Sequence, residues 1–221
     1  MPFLTELGEV LHEEHFRILS LICGLENRVM GAEGRRPIDP RNAEEKEQLE
    51  ELIVSLDQII DHNAFEEAVL FPLICARGGG ELASLLTREH VIIGPLARRV
   101  RGIAASILED GIDADRWAQF QSAAIDLVAE MMAHLQKEEL TVVQRLRQLL
   151  DTDIDHRLAL RHRAERPPAR IKIAFQQASK TLRRSKSMIQ EAVSPPAPIT
   201  ANRLTHPIPA QNHPRAAAGH F

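Results

Sequence analysis

Four stretches of the chain repeat apolar residues every three or four positions, the spacing that lines one face of a helix. In the first, Leu4, Leu7, Leu11, His15, Ile18, Ile22, Leu25 and Val29 share a face, until Gly31, Gly34 and Pro37 end the pattern. The second opens near Asp39-Pro40 or at Asn42, residues suited to a helix start, and its inner row reads Leu52, Ile59, His62, Glu66, Val69 and Leu73. The third carries Leu86, His90, Ile93, Ala97, Val100, Ala104 and Ile107. The fourth carries Phe120, Ala124, Leu127, Met131, His134, Glu138 and Val142, and fades after Leu149.

The links between these stretches set the topology. Gly78, Gly79 and Gly80 leave room only for a tight turn, so helices two and three are antiparallel neighbours. Gly111 to Asp115 makes the next turn and supplies an Asp cap. The pattern predicts an all-α fold, an up-down-up-down four-helix bundle over residues 3–150. Beyond it, helical character extends toward Arg163 before Pro167-Pro168 breaks it. Ile171, Phe175, Ala178, Leu182, Ile189 and Val193 then recur near helical spacing among Lys172, Lys180, Arg183, Arg184 and Lys186. Residues 151–193 thus read as a basic helical extension, and 194–221 as a Pro- and Ala-rich disordered tail.

Charge sharpens this division. Residues 1–150 hold 15 Lys and Arg against 26 Asp and Glu, and residues 151–221 hold 12 against 5, so an acidic body of −11 precedes a basic segment of +7. The basic segment suits a protein partner; without interleaved aromatics it makes a poor nucleic-acid surface. No apolar run approaches the roughly 20 residues of a membrane span, and a cytoplasmic protein is expected. Cys23 and Cys75 sit within helical patterns and read as buried free thiols.

Composition leaves the core to Leu, Ile, Val and Ala, since aromatics are 4% of the chain and Tyr is absent. Against that background, polar residues on the inward rows stand out. His15, His62, Glu66, His90, His134 and Glu138 each continue an apolar seam, so in a bundle all six point into one core. An uncompensated buried carboxylate costs several kcal/mol or more, and a shared cation removes that cost. His62 with Glu66 and His134 with Glu138 are four residues apart, on one helix face. At a rise of about 1.5 Å per residue, the positions on the four helices agree in height to within a turn.

These residues carry a family resemblance. The run from His62 through Glu66-Glu67 to Phe71-Pro72, the pairs Glu14-His15 and Glu89-His90, and His134 with Glu138-Glu139 resemble the hemerythrin-like HHE cation-binding domains. The resemblance covers about residues 3–150 and implies two non-haem irons bridged by Glu66, Glu138 and an oxo or hydroxo group. His15 and His62 would serve one iron, and His90 and His134 the other. Oxygen-carrying members have a further His one turn after the third-helix ligand, where this chain has Gly94 and then Pro95. One iron would therefore lack a nitrogen ligand, which favours exchangeable ligands over stable oxygen carriage. Pro95 is also expected to kink helix three beside the site.

Other residues near the seam are candidates of a different kind. His12, three residues before His15, would be a ligand only if helix one rotated; lying off the inner row, it reads as a supporting or surface residue. Glu67 and Glu139 either orient ligand histidines or face water. Glu9-x-x-His12 has no second copy to complete a ferritin-like motif, and residues 12–15 lack the His spacing of a zinc protease. Mixed imidazole and carboxylate donors suit iron. The expected function is a di-iron protein that senses or handles oxygen, peroxide or nitric oxide, with the tail reporting to a partner. A di-iron enzyme turning over peroxide, an iron storage or delivery protein, and a metal-free helical module are the alternatives. No dedicated general acid or base is visible, and the absence of Tyr excludes a tyrosinate ligand.

Overall fold

The long helices begin where side chains replace missing backbone partners. In a computed structural model, which describes residues 4–31, 34 and 36–165, Thr5 accepts from Gly8 N–H at the start of α1 (Glu6–Met30). Asn42 accepts from Glu44 and Glu45 at the start of α2 (Ala43–Phe65), and Asp113 from Arg116 ahead of α5 (Ala114–Thr141). Each cap satisfies a donor that the first helical turn leaves open. Between α2 and α5 come α3 (Phe71–Ala76) and α4 (Gly80–Asp110). Gly78 and Gly111, the positive-φ glycines, make the turns before and after α4.

All regular elements among the described residues are helical. α1 packs on α5, α5 on α4, and α4 on α2. Two apolar clusters fill the interior. One runs from Ile18, Ile22 and Leu56 to Ile93, Leu127 and Met131, and the other joins Leu7, Leu11, Phe65, Leu70 and Leu86 to Val142 and Leu146. Each fully buried Leu or Ile contributes roughly 1.5–3 kcal/mol. The clusters meet at His15, His62, His90 and His134, each of which lies between their members along its own helix.

One departure from the periodic reading lies between α2 and α3, where Glu66–Leu70 forms a π-helical turn. Its wider hydrogen bond, from Phe71 N–H to Glu66 C=O, inserts a residue into the register. The buried row therefore passes from Glu66 to Leu70, Phe71 and Ile74, while Val69 and Leu73, expected on it, are only half-buried. Pro72, in the first turn of α3, explains the widening: it has no N–H to donate, and its ring would crowd the carbonyl four residues back. Pro95 does not interrupt α4, which runs as α-helix from Gly80 to Asp110.

After Leu150 the chain forms a further helix, α7 (Thr152–Glu165), preceded by the short α6 (Leu146–Leu149). α7 packs on α1. Asp155 accepts from Glu6 N–H at 2.8 Å and Leu7 N–H at 3.3 Å, adding a second cap to α1. The amphipathic pattern at 171–193 and the Pro-rich stretch at 194–221 lie outside the described residues. No helix among the described residues is long and apolar enough to cross a membrane. Cys23 is a buried free thiol; Cys75, expected to be buried, is exposed.

Candidate metal centre

The local structure aims six side chains at one another. His15 lies mid-way along α1, His62 near the end of α2, and Glu66 opens the π turn. His90 belongs to α4, and His134 and Glu138 are one turn apart in α5. All six are at most 4% exposed. Two donor sets result: His15, His62, Glu66 and Glu138 form one, and Glu66, His90, His134 and Glu138 the other, so both carboxylates are common to the two.

The distances test whether a cation fits. His15 Nε2 is 3.2 Å from His62 Nε2, and His90 Nε2 is 3.1 Å from His134 Nε2. The Glu138 carboxylate lies 3.4 Å from His15 Nε2 and 3.3 Å from His134 Nε2. Glu66 lies 3.5 Å from both His62 Nε2 and His90 Nε2. Two imidazoles bound at right angles to one ion with bonds of about 2.1 Å would have their nitrogens about 3 Å apart. The spacing is that of donors converging on a cation. Neither Glu138 oxygen completes a hydrogen bond, although the residue is fully buried, and a buried charge of that kind calls for a counter-ion. These residues can hold a metal ion.

A second layer of carboxylates fixes the imidazoles. His15 Nδ1 pairs with Glu139 at 2.8 Å, His62 Nδ1 with Glu14 at 3.0 Å, His90 Nδ1 with Glu67 at 2.9 Å and His134 Nδ1 with Glu89 at 3.0 Å. With Nδ1–H donating to a carboxylate, each ring presents an Nε2 lone pair to the centre, the tautomer a metal requires. The layout repeats. Glu14 and Glu89 each precede one histidine and bond the histidine of another helix, and Glu67 and Glu139 each follow a shared carboxylate and do the same. Glu67 and Glu139 are thus orienting residues, not merely solvated ones.

Electrostatics follow from this packing. Burial pushes the His62 and His90 imidazoles below their ordinary value, keeping them neutral and able to donate a lone pair. For His134, burial acts in the same direction but is outweighed by the Glu138 and Glu89 carboxylates, which raise it. Burial raises the Glu14 carboxyl, yet hydrogen bonds from His162 and His62 hold it well below the usual range. Glu138 is likewise lowered, burial being outweighed by His134, His15 and His62.

Other candidates find different roles. Exposed His12 bonds Glu139 at 2.9 Å, and so supports the carboxylate that orients His15. Glu9 is exposed on α1. Gly94 offers the centre no side-chain donor, and a Cβ built there would first meet the Arg98 guanidinium, 3.3 Å away. Sequence reasoning missed His162, which is 1% exposed and bonds Glu14 at 2.8 Å from α7. No local pattern marks it, since its partner lies 148 positions away. The chain matches no protein-family model, no curated protein and no solved structure.

Proposed function

We propose that the chain is a hemerythrin-like protein whose four long helices form an up-down-up-down bundle holding two non-haem irons, and that it senses or handles oxygen, peroxide or nitric oxide. The observation that carries this reading is the pair of donor sets sharing Glu66 and Glu138. Two imidazoles per set, with both carboxylates common, suit two adjacent ions better than one. His15 and His62 would hold one iron, His90 and His134 the other, with Glu66 and Glu138 spanning both. Iron in such a site supplies redox chemistry toward small oxidants and open positions for small ligands.

The chain's own residues do the rest. Glu139, Glu14, Glu67 and Glu89 keep the imidazoles in the binding tautomer. The apolar clusters on either side exclude water from the centre. Gly94 leaves a position without a side-chain donor, which favours exchange of small ligands over their stable carriage. The test is to reduce iron-loaded protein anaerobically and add oxygen, hydrogen peroxide or nitric oxide in turn, following the optical spectrum. A stoichiometric change with at least one of them supports the reading, and inertness to all three contradicts it. Sustained consumption of excess peroxide would instead identify an enzyme.

A further inference from the structure

The two halves of the centre differ in what holds the carboxylates of Glu14 and Glu89. In the second half, His134 pairs with Glu89, and Glu89 in turn accepts from the Lys137 ammonium, three residues after His134 on the same helix. In the first half, the residue three after His62 is Phe65, which has no donor to offer Glu14. The missing donor comes from outside: His162 Nε2, on α7, lies 2.8 Å from Glu14. Phe65 packs on that same imidazole, ring centroids 4.2 Å apart. Ala159, one turn earlier, is fully buried in the adjoining apolar cluster, and Asp155 ties α7 to the first N–H groups of α1.

Resting on the two-metal reading, we propose that α7 completes the centre. His162 is a positioning residue that holds Glu14 and, through it, His62, so seating of α7 and loading of the metal position built on His15 and His62 reinforce each other. The position built on His90 and His134, whose carboxylate is held by Lys137 of α5, does not depend on α7. Loss of a residue that supports a ligand from behind typically lowers metal affinity about 10–100-fold. Coupling is reciprocal, so metal must tighten α7 by the factor by which α7 tightens metal.

The experiment uses the full chain and ferrous ion under anaerobic conditions, titrated against a competing chelator. His162→Leu keeps an apolar contact with Phe65 but removes the donor, whereas His162→Gln places an amide N–H at the reach of Nε2. The expected result is that His162→Leu binds one of its two ferrous ions about tenfold or more weakly while the other is unchanged, and that His162→Gln recovers most of the loss. Ferrous ion should also slow amide exchange in residues 152–165 of the wild type, an effect that disappears in His162→Leu but persists in α4 and α5. Wild-type affinity for both ions in His162→Leu would overturn the proposal, as would a loss that His162→Gln does not repair. Should His162→Leu fail to fold, wild-type exchange in 152–165 that ignores ferrous ion overturns it equally. A wild-type chain that takes up no ferrous ion overturns the two-metal reading itself, and the role of α7 with it.

Discussion

The Nε2 atoms of His90 and His134 face each other across 3.1 Å, while the Nδ1 atom of each is engaged by a carboxylate, Glu67 and Glu89 respectively. Rings held this way point Nε2 at Nε2, so their lone pairs oppose each other unless one nitrogen carries a second proton. Either a proton shared by the two nitrogens or a cation lying between them makes the contact favourable. His15 and His62 repeat it at 3.2 Å with Glu139 and Glu14 behind them. Placement of the carboxylates, more than burial of the histidines, is what suits the cluster to a metal ion.

The orienting carboxylates should therefore control affinity. Glu67→Gln and Glu139→Gln leave all six inward donors in place, yet each is expected to weaken metal binding about 10–100-fold. Glu67→Gln should act on the ion near His90, and Glu139→Gln on the ion near His15. Chelator competition measures both, and unchanged affinities would show that the hydrogen bonds do not prepare the rings.

Gly94 predicts how the reduced protein responds to oxygen. With no side-chain donor from that position, iron-loaded reduced protein should be oxidised by oxygen or peroxide, and the spectral change should not reverse when oxygen is removed. A change that lasts for minutes and reverts fully under vacuum would contradict the open position.

Acid should unfold the metal-free protein early. Burial raises the Glu14, Glu89, Glu138 and Glu139 carboxyls, but their imidazole and Lys137 partners outweigh it and leave all four lowered from 4.5. Groups depressed in the folded state contribute stability above the unfolded value, and that contribution is lost as pH falls through the folded value. Neutral His62 and His90, lowered from 6.5 by burial, begin the loss at higher pH, while the raised His134 acts in the opposite sense. Thermal unfolding measured between about pH 7 and about pH 3 should show a falling midpoint, steepest below about pH 4.5. A flat midpoint over that range would mean these groups are not engaged as described.

Two truncations should separate α7 from the residues beyond Glu165. A chain ending at Glu165 keeps every described contact of α7 and should retain helicity, stability and metal content. A chain ending at Leu150 loses the Asp155 cap of α1, worth about 1 kcal/mol, together with the buried Ala159 and His162. Its unfolding midpoint should fall by several degrees or more. Equal midpoints for the two would mean that α7 adds nothing to the fold.

How much of this was legible in the sequence varied with the range of the interaction. The helical seams and the six inward polar residues were legible because each violates a local apolar period that the sequence carries unaided. Val69 and Leu73 were misplaced because a one-residue π insertion changes register without leaving a periodic signature; Pro72 is its only local trace. The partners of Glu14 were out of reach because they lie on other elements: His62 on α2, 48 positions away, and His162 on α7, 148 positions away. Pairing of Glu67 with His90 and of Glu139 with His15 likewise depends on how α2, α4, α5 and α1 pack, which spacing along one helix does not specify.

Whether His15, His62, Glu66, His90, His134 and Glu138 hold two metal ions per chain is decided by metal analysis of protein reconstituted with ferrous ion without oxygen. About two irons per chain are expected, and a His62→Ala, Glu66→Ala variant should lose metal and, with it, the stabilisation that binding to the folded state confers. Well under one iron per chain in the wild type, or full loading of that variant, would contradict a two-metal centre at these residues.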